Sequence, residues 1–114
     1  MLFAALASVV IASCYDGDTC TTTTGEKVRL ACIDTPELVG KRAKPMPAKA
    51  ARDHLRGLVM GKKIGSRRIT KDRYGRTVAE LFAGDTNVQR EMVATGHAEV
   101  YLRYADQCPW TEGK

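Results

Sequence analysis

The chain has no CxxC pair among its four cysteines, which argues against a thiolate zinc site. Its two histidines, His54 and His97, fall on helical or post-helical positions and read as structural or exposed. The longest apolar run, MLFAALASVVIAS at residues 1–13, is too short to span a bilayer. It also lacks the basic start of an export signal. No internal repeat and no low-complexity tract interrupts the 114 residues, a length for one domain with a single modest core. Acids are scarce after residue 40. Residues 41–114 hold eight of them against sixteen Lys or Arg, a balance of +8. Residues 1–40 reverse that with five acids against two bases, a balance of −3.

What is present is ordinary for a soluble globular chain, with 44% hydrophobic and 27% charged residues. A basic body suits a polyanionic partner, and nucleic acid is the commonest one. A surface merely solvated by Lys and Arg is the competing reading. Residues 1–6 are expected to be the remnant of an export segment that runs into a first strand, Ala7 to Cys14. Ile11-Ala12-Ser13-Cys14 has the form of a lipoprotein cleavage box, but lipidation of Cys14 would press the acidic cluster against the membrane, so anchoring is not expected. A secreted or cell-envelope location is favoured over a cytoplasmic one. Four cysteines permit disulfides in an oxidising compartment, with connectivity that spacing does not reveal. Buried free thiols are the equal alternative.

Strand signals dominate the first third. Val and Ile fill residues 7–14, threonines fill Cys20 to Thr24, and Lys27 to Ile33 follows, with Gly25 as the hairpin turn between the last two. LVGKRAKPMP at residues 38–47 reads as a mobile loop. Ala48, Ala51, Leu55, Leu58 and Val59 recur at helical spacing, with Pro47 in the first turn and Gly61 closing the helix. Lys63 to Thr70 and Thr77 to Phe82 are two more strands joined by KDRYGR. Thr86 or Asn87 caps a second helix to about Thr95, with Gln89 placed for a capping box and Gly96 ending it. Ala98 to Tyr104 is short and aromatic, and Cys108-Pro109 breaks the pattern. Five short strands with a helix after the third is the layout of an OB-fold, a mainly β, five-stranded Greek-key barrel with two helices, one of several β-rich folds that the pattern alone allows.

Two acidic knots stand out: YDGDT at residues 15–19 and CIDTPE at residues 32–37. Each alone can be a turn, because Asp-Gly and Asp-Thr before Pro are turn formers. Together they suggest more, since hairpin pairing would bring Asp18 and Asp34 to one end of a barrel. Two close carboxylates repel unless one is protonated or a cation sits between them. Oxygen ligands of this kind suit calcium or magnesium rather than zinc. In VRLACI, strand alternation puts Arg29 on the face of Ala31 and Ile33. It is either a surface arginine or a guanidinium aimed into a site, where its fork matches a phosphate. Arg76 in DRYGR offers the same fork, and Gly75 beside it would permit a close backbone approach.

DGDT at 16–19, VRLACIDTPE at 28–37, DRYGR at 72–76 and NVQREMVATGHAEVY at 87–101 together resemble the thermonuclease, or staphylococcal nuclease-like, family. The blocks occur in the family's order and cover residues 7–104. The resemblance implies a calcium-dependent OB-fold endonuclease that hydrolyses DNA and RNA with little sequence preference and leaves 3′-phosphate ends. Single-stranded or locally unpaired substrate is expected, with a monomeric protein and no stable protein partner. It implies Asp18 and Asp34 as carboxylate ligands of the metal, with Thr35 lending its backbone carbonyl, and Asp16 as an outer acid. Glu37 would be the general base, Arg29 and Arg76 would grip the scissile phosphate, and Tyr74 and Tyr104 would lie against the nucleotide. The alternative is a non-catalytic OB-fold module that binds nucleic acid without cutting it. No histidine pair suited to a histidine-metal nuclease is present. Against the family's pattern, the C-terminal helix is expected to be largely missing, with residues 105–114 a short tail.

Overall fold

A computed structural model describes residues 6–113. The export-segment expectation therefore lies, but for Leu6, outside the described residues. Eight strands and two α-helices follow in the order β1 (Ala7–Cys14), β2 (Thr19–Thr22), β3 (Lys27–Leu30), β4 (Ile33–Asp34), α1 (Pro45–Val59), β5 (Lys63–Lys71), β6 (Thr77–Ala83), β7 (Thr86–Asn87), α2 (Val88–Ala94) and β8 (Glu99–Val100). Two 3₁₀ segments, Leu102–Gln107 and Pro109–Thr111, follow β8. No described helix is long and apolar enough to cross a membrane.

The main sheet runs β3-β2-β1-β5-β6-β7, and β3 also pairs in parallel with β6. That extra pairing closes β1, β2, β3, β5 and β6 into the five-stranded mixed barrel expected of an OB-fold. β1 serves two partners: residues 7–10 pair with β5 and residues 11–14 with β2, across a bulge between Ile11 and Ser13. Such a bulge bends a strand around a barrel corner. The interior is filled by Ile11, Val28, Leu30, Ile64, Leu81 and Val88, and α1 adds Leu55 and Val59 along one face. Pro45 and Pro47 both stand in the first turn of α1, so the helix starts two residues before Pro47. Gly61, at φ +72, lies just past its end.

Three local expectations fail, two of them for tertiary reasons. The strand read as Lys27 to Ile33 breaks after Leu30, because Cys32 adopts φ 68 and turns the chain. Ile33 then swings into the main core beside Val28 and Leu30, and its predicted shared face with Arg29 is lost. Gln89 is not part of a capping box. Its amide is fully buried, accepts from Leu81 N at 2.8 Å and donates to Leu81 O at 3.1 Å, which ties α2 to β6. Asn87 alone caps α2, accepting from Arg90 N at 3.0 Å. Gly75 is not a point of close approach, since nothing lies within 4 Å of where its Cβ would sit. What that turn requires is its φ of +81.

All four cysteines are oxidised, in the pairs Cys14–Cys20 and Cys32–Cys108. The second bond fastens residues 102–111 to the barrel wall. Trp110 Nε1 adds a 2.7 Å bond to the buried Glu80 carboxylate, which Arg67 and Asn87 also donate to. In the described residues a packed, disulfide-tied segment thus stands where the sequence suggested a plain tail.

Candidate active site

Strand register explains why residues far apart in sequence meet. In the β2–β3 hairpin Thr19 faces Arg29, and Leu30 N donates to Asp18 O at 2.8 Å. Asp18 is thereby set beside Arg29. The barrel-closing β3–β6 pairing aligns Val28 with Thr77 and Arg29 with Val78, which draws Arg76 to the same end. β4 carries Asp34, held by the pairing of Asp34 with Glu99 of β8.

The acidic loop between β1 and β2 is short and pinned. Cys14 and Cys20 are register partners joined by their disulfide, and Tyr15 N donates to Thr19 O at 2.9 Å. Gly17 is needed here for space. A Cβ would stand 2.7 Å from Ala51 Cβ of α1 and 2.9 Å from Thr35 Cγ2, closer than carbon atoms approach. The loop therefore lies flush against the helix and the second acidic knot.

Asp18 is buried. Its Oδ2 accepts from Thr35 N at 3.2 Å and Thr35 Oγ1 at 3.1 Å, and its Oδ1 accepts from Thr19 Oγ1 at 3.1 Å. Arg29 Nη2 stands 3.5 Å from Asp18 Oδ2 and 3.7 Å from Asp34 Oδ1, one guanidinium bridging the two carboxylates. Its Nη1 donates to Leu30 O at 2.7 Å, which fixes the fork. Asp16 Oδ1 accepts from Asp18 N at 3.1 Å. Glu37, exposed, has no ion pair or side-chain hydrogen bond among the described residues. Arg76 is steadied through Nε by Asp72 at 2.7 Å, with its terminal amino groups left over. A cleft of about 310 Å³ is lined by Asp16, Asp18, Arg29, Asp34, Thr35, Glu37 and Arg76, with Tyr15, Leu38 and Val39.

Two of these carboxyls are held above their ordinary range, first by burial and then by neighbouring charge. Burial, and then the charge of Asp18, raise the Asp16 carboxyl to about 6. Loss of water, then Asp18, raise Asp34 as well, against the pull of Arg29. Among the described residues no group of three or more His, Cys, Asp or Glu forms a ready metal cluster. Asp18 and Asp34, two carboxylates that share one guanidinium, nonetheless fit a hard divalent cation, whose other ligands would be backbone oxygen and water.

Beyond the arginines lies a second cavity of about 370 Å³. Arg29 and Arg76 line it too, with Tyr74, Tyr104, Arg73, Tyr101 and Arg103. Tyr74, largely exposed, stacks under Arg73 and Arg76 at 4.9 and 5.6 Å. Every predicted site residue thus lines one cavity or the other. Tyr101, Arg73 and Arg103 were not anticipated. Tyr101 packs under the Arg29 guanidinium at 5.8 Å. The signal was the Y-L-R-Y spacing at 101–104: strand alternation would part the two tyrosines, whereas a 3₁₀ turn brings positions three apart together.

A family model described as staphylococcal nuclease homologue matches residues 27–112. A protein of Haemophilus influenzae described as an uncharacterized endonuclease is 38% identical over 94 residues, 79% of this chain and 50% of that protein. Another so described, from Escherichia coli O157:H7, is 36% identical over 93 residues, 78% of this chain and 58% of its own length. A staphylococcal-like nuclease of Arabidopsis thaliana is 36% identical over 78 residues, 68% of this chain and 23% of that protein. The chain spans about half the length of the two bacterial relatives. With the family match running over most of its residues, and the barrel built as that family's fold requires, the chain belongs to the staphylococcal nuclease homologue family.

Proposed function

We propose that this chain is an endonuclease that hydrolyses phosphodiester bonds of DNA and RNA with little sequence preference, with calcium as its cation. The observation that carries this reading is the bridge of Asp18 and Asp34 by Arg29, in one cleft with a Glu37 that has no partner among the described residues and the terminal amino groups of Arg76. Phosphorus in a diester is shielded by negative oxygens, and attack adds charge to them. Guanidiniums already held in place stabilise that charge without reorganising. Asp18 and Asp34, with the Thr35 carbonyl, would hold the cation. When bound it acts as a Lewis acid on the phosphate oxygens. Glu37 takes a proton from the attacking water as its oxygen bonds to phosphorus, the bond to the leaving oxygen breaks, and that oxygen takes a proton from solvent water. Departure of the 5′-oxygen would leave the 3′-phosphate end that the family resemblance implies. The tyrosine cavity offers π-faces that stack on any base, which agrees with low sequence preference and with single-stranded or unpaired substrate.

The test is cleavage of denatured DNA and of RNA with calcium, with excess chelator, and by Glu37→Gln. Cleavage is expected only with the cation, with kcat falling on the order of 10²–10⁴-fold in the variant. Binding without cleavage under every divalent cation would leave a nucleic-acid-binding module instead. End-labelling of the products decides between 3′- and 5′-phosphate ends.

A further inference from the structure

Arg29 and Arg76 line both cavities, so the two guanidiniums form the partition between them. A phosphodiester carries a nucleoside on each side of its phosphorus. With the phosphate at the partition, one nucleoside enters the tyrosine cavity. The other faces the acidic cleft, which shares both arginines with the tyrosine cavity. The rim of that cleft is not acidic throughout: Tyr15 is 60% exposed and Val39 is 68% exposed, with Leu38 between Val39 and Glu37. The barrel interior does not use the Tyr15 ring, and its hydroxyl has no hydrogen bond among the described residues. Its backbone is nonetheless fixed, adjacent to the Cys14–Cys20 bond and hydrogen-bonded to Thr19 O at 2.9 Å. A rigidly mounted, open aromatic face beside an apolar pair is the chemistry of a base platform, because stacking needs a π-face and little else.

From this we infer that Tyr15, with Leu38 and Val39, forms a second base-stacking subsite for the nucleoside on the far side of the scissile phosphate. The inference rests on the nuclease reading above and extends it. The polymer is gripped on both sides of the bond to be cut, one base on the tyrosine cavity and the next on Tyr15. Substrate recognition then depends on a pair of adjacent bases rather than on one nucleotide.

The experiment measures binding of a fluorescent single-stranded oligonucleotide in calcium on the Glu37→Gln background, so that no turnover is needed. Tyr15→Ala is expected to weaken binding about tenfold, the scale of one lost base stack, and Tyr15→Phe to bind as the parent does. Oligonucleotides with one abasic position, moved stepwise along the strand, should include a position at which Tyr15→Ala no longer matters. Val39→Ser serves as a second variant on the other side of the platform and should show the same abasic dependence with a smaller loss. Equal binding by Tyr15→Ala and its parent would overturn the subsite, as would a loss that no abasic position relieves. Cleavage by the wild-type protein is scored separately. A protein that never cuts sinks the nuclease reading while the stacking result still stands or falls by itself.

Discussion

The two sides of the cleft are built differently. On the acidic side Asp18 and Thr35 are buried, hydrogen-bonded to each other, and pressed against α1 where only Gly17 fits. On the tyrosine side Tyr74 is 68% exposed and Arg73 stands open beside it, mounted on a turn. Charge stabilisation works best from donors and acceptors that need no rearrangement, whereas stacking on varied bases tolerates adjustment. Changes to the carboxylates of the acidic side should therefore remove kcat, and changes to stacking faces such as Tyr74 should raise KM. Arg29, which touches both, should do both.

The largest contrast is expected between Asp18→Asn and Tyr74→Ala. Asp18→Asn removes a buried charge facing Arg29 and is expected to abolish calcium-dependent cleavage, with kcat down on the order of 10³-fold. Tyr74→Ala is expected to leave kcat within a few-fold and raise KM about tenfold, the worth of one stacking face. Steady-state kinetics on one defined oligonucleotide separates the two. Equal effects on kcat from both variants would erase the distinction between the sides.

The disulfides offer the next contrast: Cys14–Cys20 lies in the acidic loop, and Cys32–Cys108 ties the segment after the tyrosines to the turn before Asp34. Cys14–Cys20 closes a loop of sequence separation 6 around the acids, and Cys32–Cys108 closes one of 76 that includes Tyr101 and Tyr104. Chain-entropy arguments assign about 2 kcal/mol to the short loop and about 4–5 kcal/mol to the long one. Denaturant unfolding of the Cys14→Ser/Cys20→Ser and Cys32→Ser/Cys108→Ser double variants should therefore show the larger loss in the second. Calcium titration of the folded proteins should show the opposite order, with the short-loop variant losing more affinity.

Gly17→Ala sharpens the same point with one methyl group. The added carbon meets Ala51 Cβ at 2.7 Å, a side chain with no freedom to turn away, so the loop must lift. Overpacking of this kind costs about 1–3 kcal/mol. Thermal unfolding should record the loss, and calcium binding should weaken because Asp18 lifts with the loop. Unchanged affinity would mean that the loop's close seat on α1 does not set the carboxylate.

Much of this could be read from residue order, and the failures share a cause. β-branched runs and helical periodicity located the barrel strands and α1, since those patterns report burial directly. The site residues were named by resemblance, and strand register then brought them together. What was missed depends on contacts distant in sequence. Cys32 adopts its left-handed φ within a turn tied to Cys108, and nothing in ACID announces that. Gln89 carried a capping signal, but the backbone of Leu81 offered its amide both a donor and an acceptor inside the core. The tail looked plain because Trp110, in a 3₁₀ segment, finds its partner Glu80 thirty residues away on β6.

The smallest expected effect lies at the seam that keeps the two arginines in register. Glu26 precedes β3 and accepts from Arg68 Nε at 2.8 Å, Arg68 Nη2 at 2.7 Å and Thr77 Oγ1 at 3.0 Å, joining β3, β5 and β6. The hydrogen bonds from Arg68, first among the causes, hold the Glu26 carboxyl below its ordinary value. A lowered carboxyl favours the ionised form in the folded state. Its contribution is therefore complete above the unfolded value near 4.5 and is lost as pH falls through the lower folded value. Because Arg68 is 42% exposed, solvent screening keeps the pair to less than about 1 kcal/mol. Wild type and Glu26→Gln should differ by a small Tm shift at pH 7 that shrinks as the pH drops below 4. If kcat changes with that substitution while Tm does not, the seam sets the spacing of Arg29 and Arg76 rather than the stability of the barrel, and the two sides of the cleft are coupled through β3.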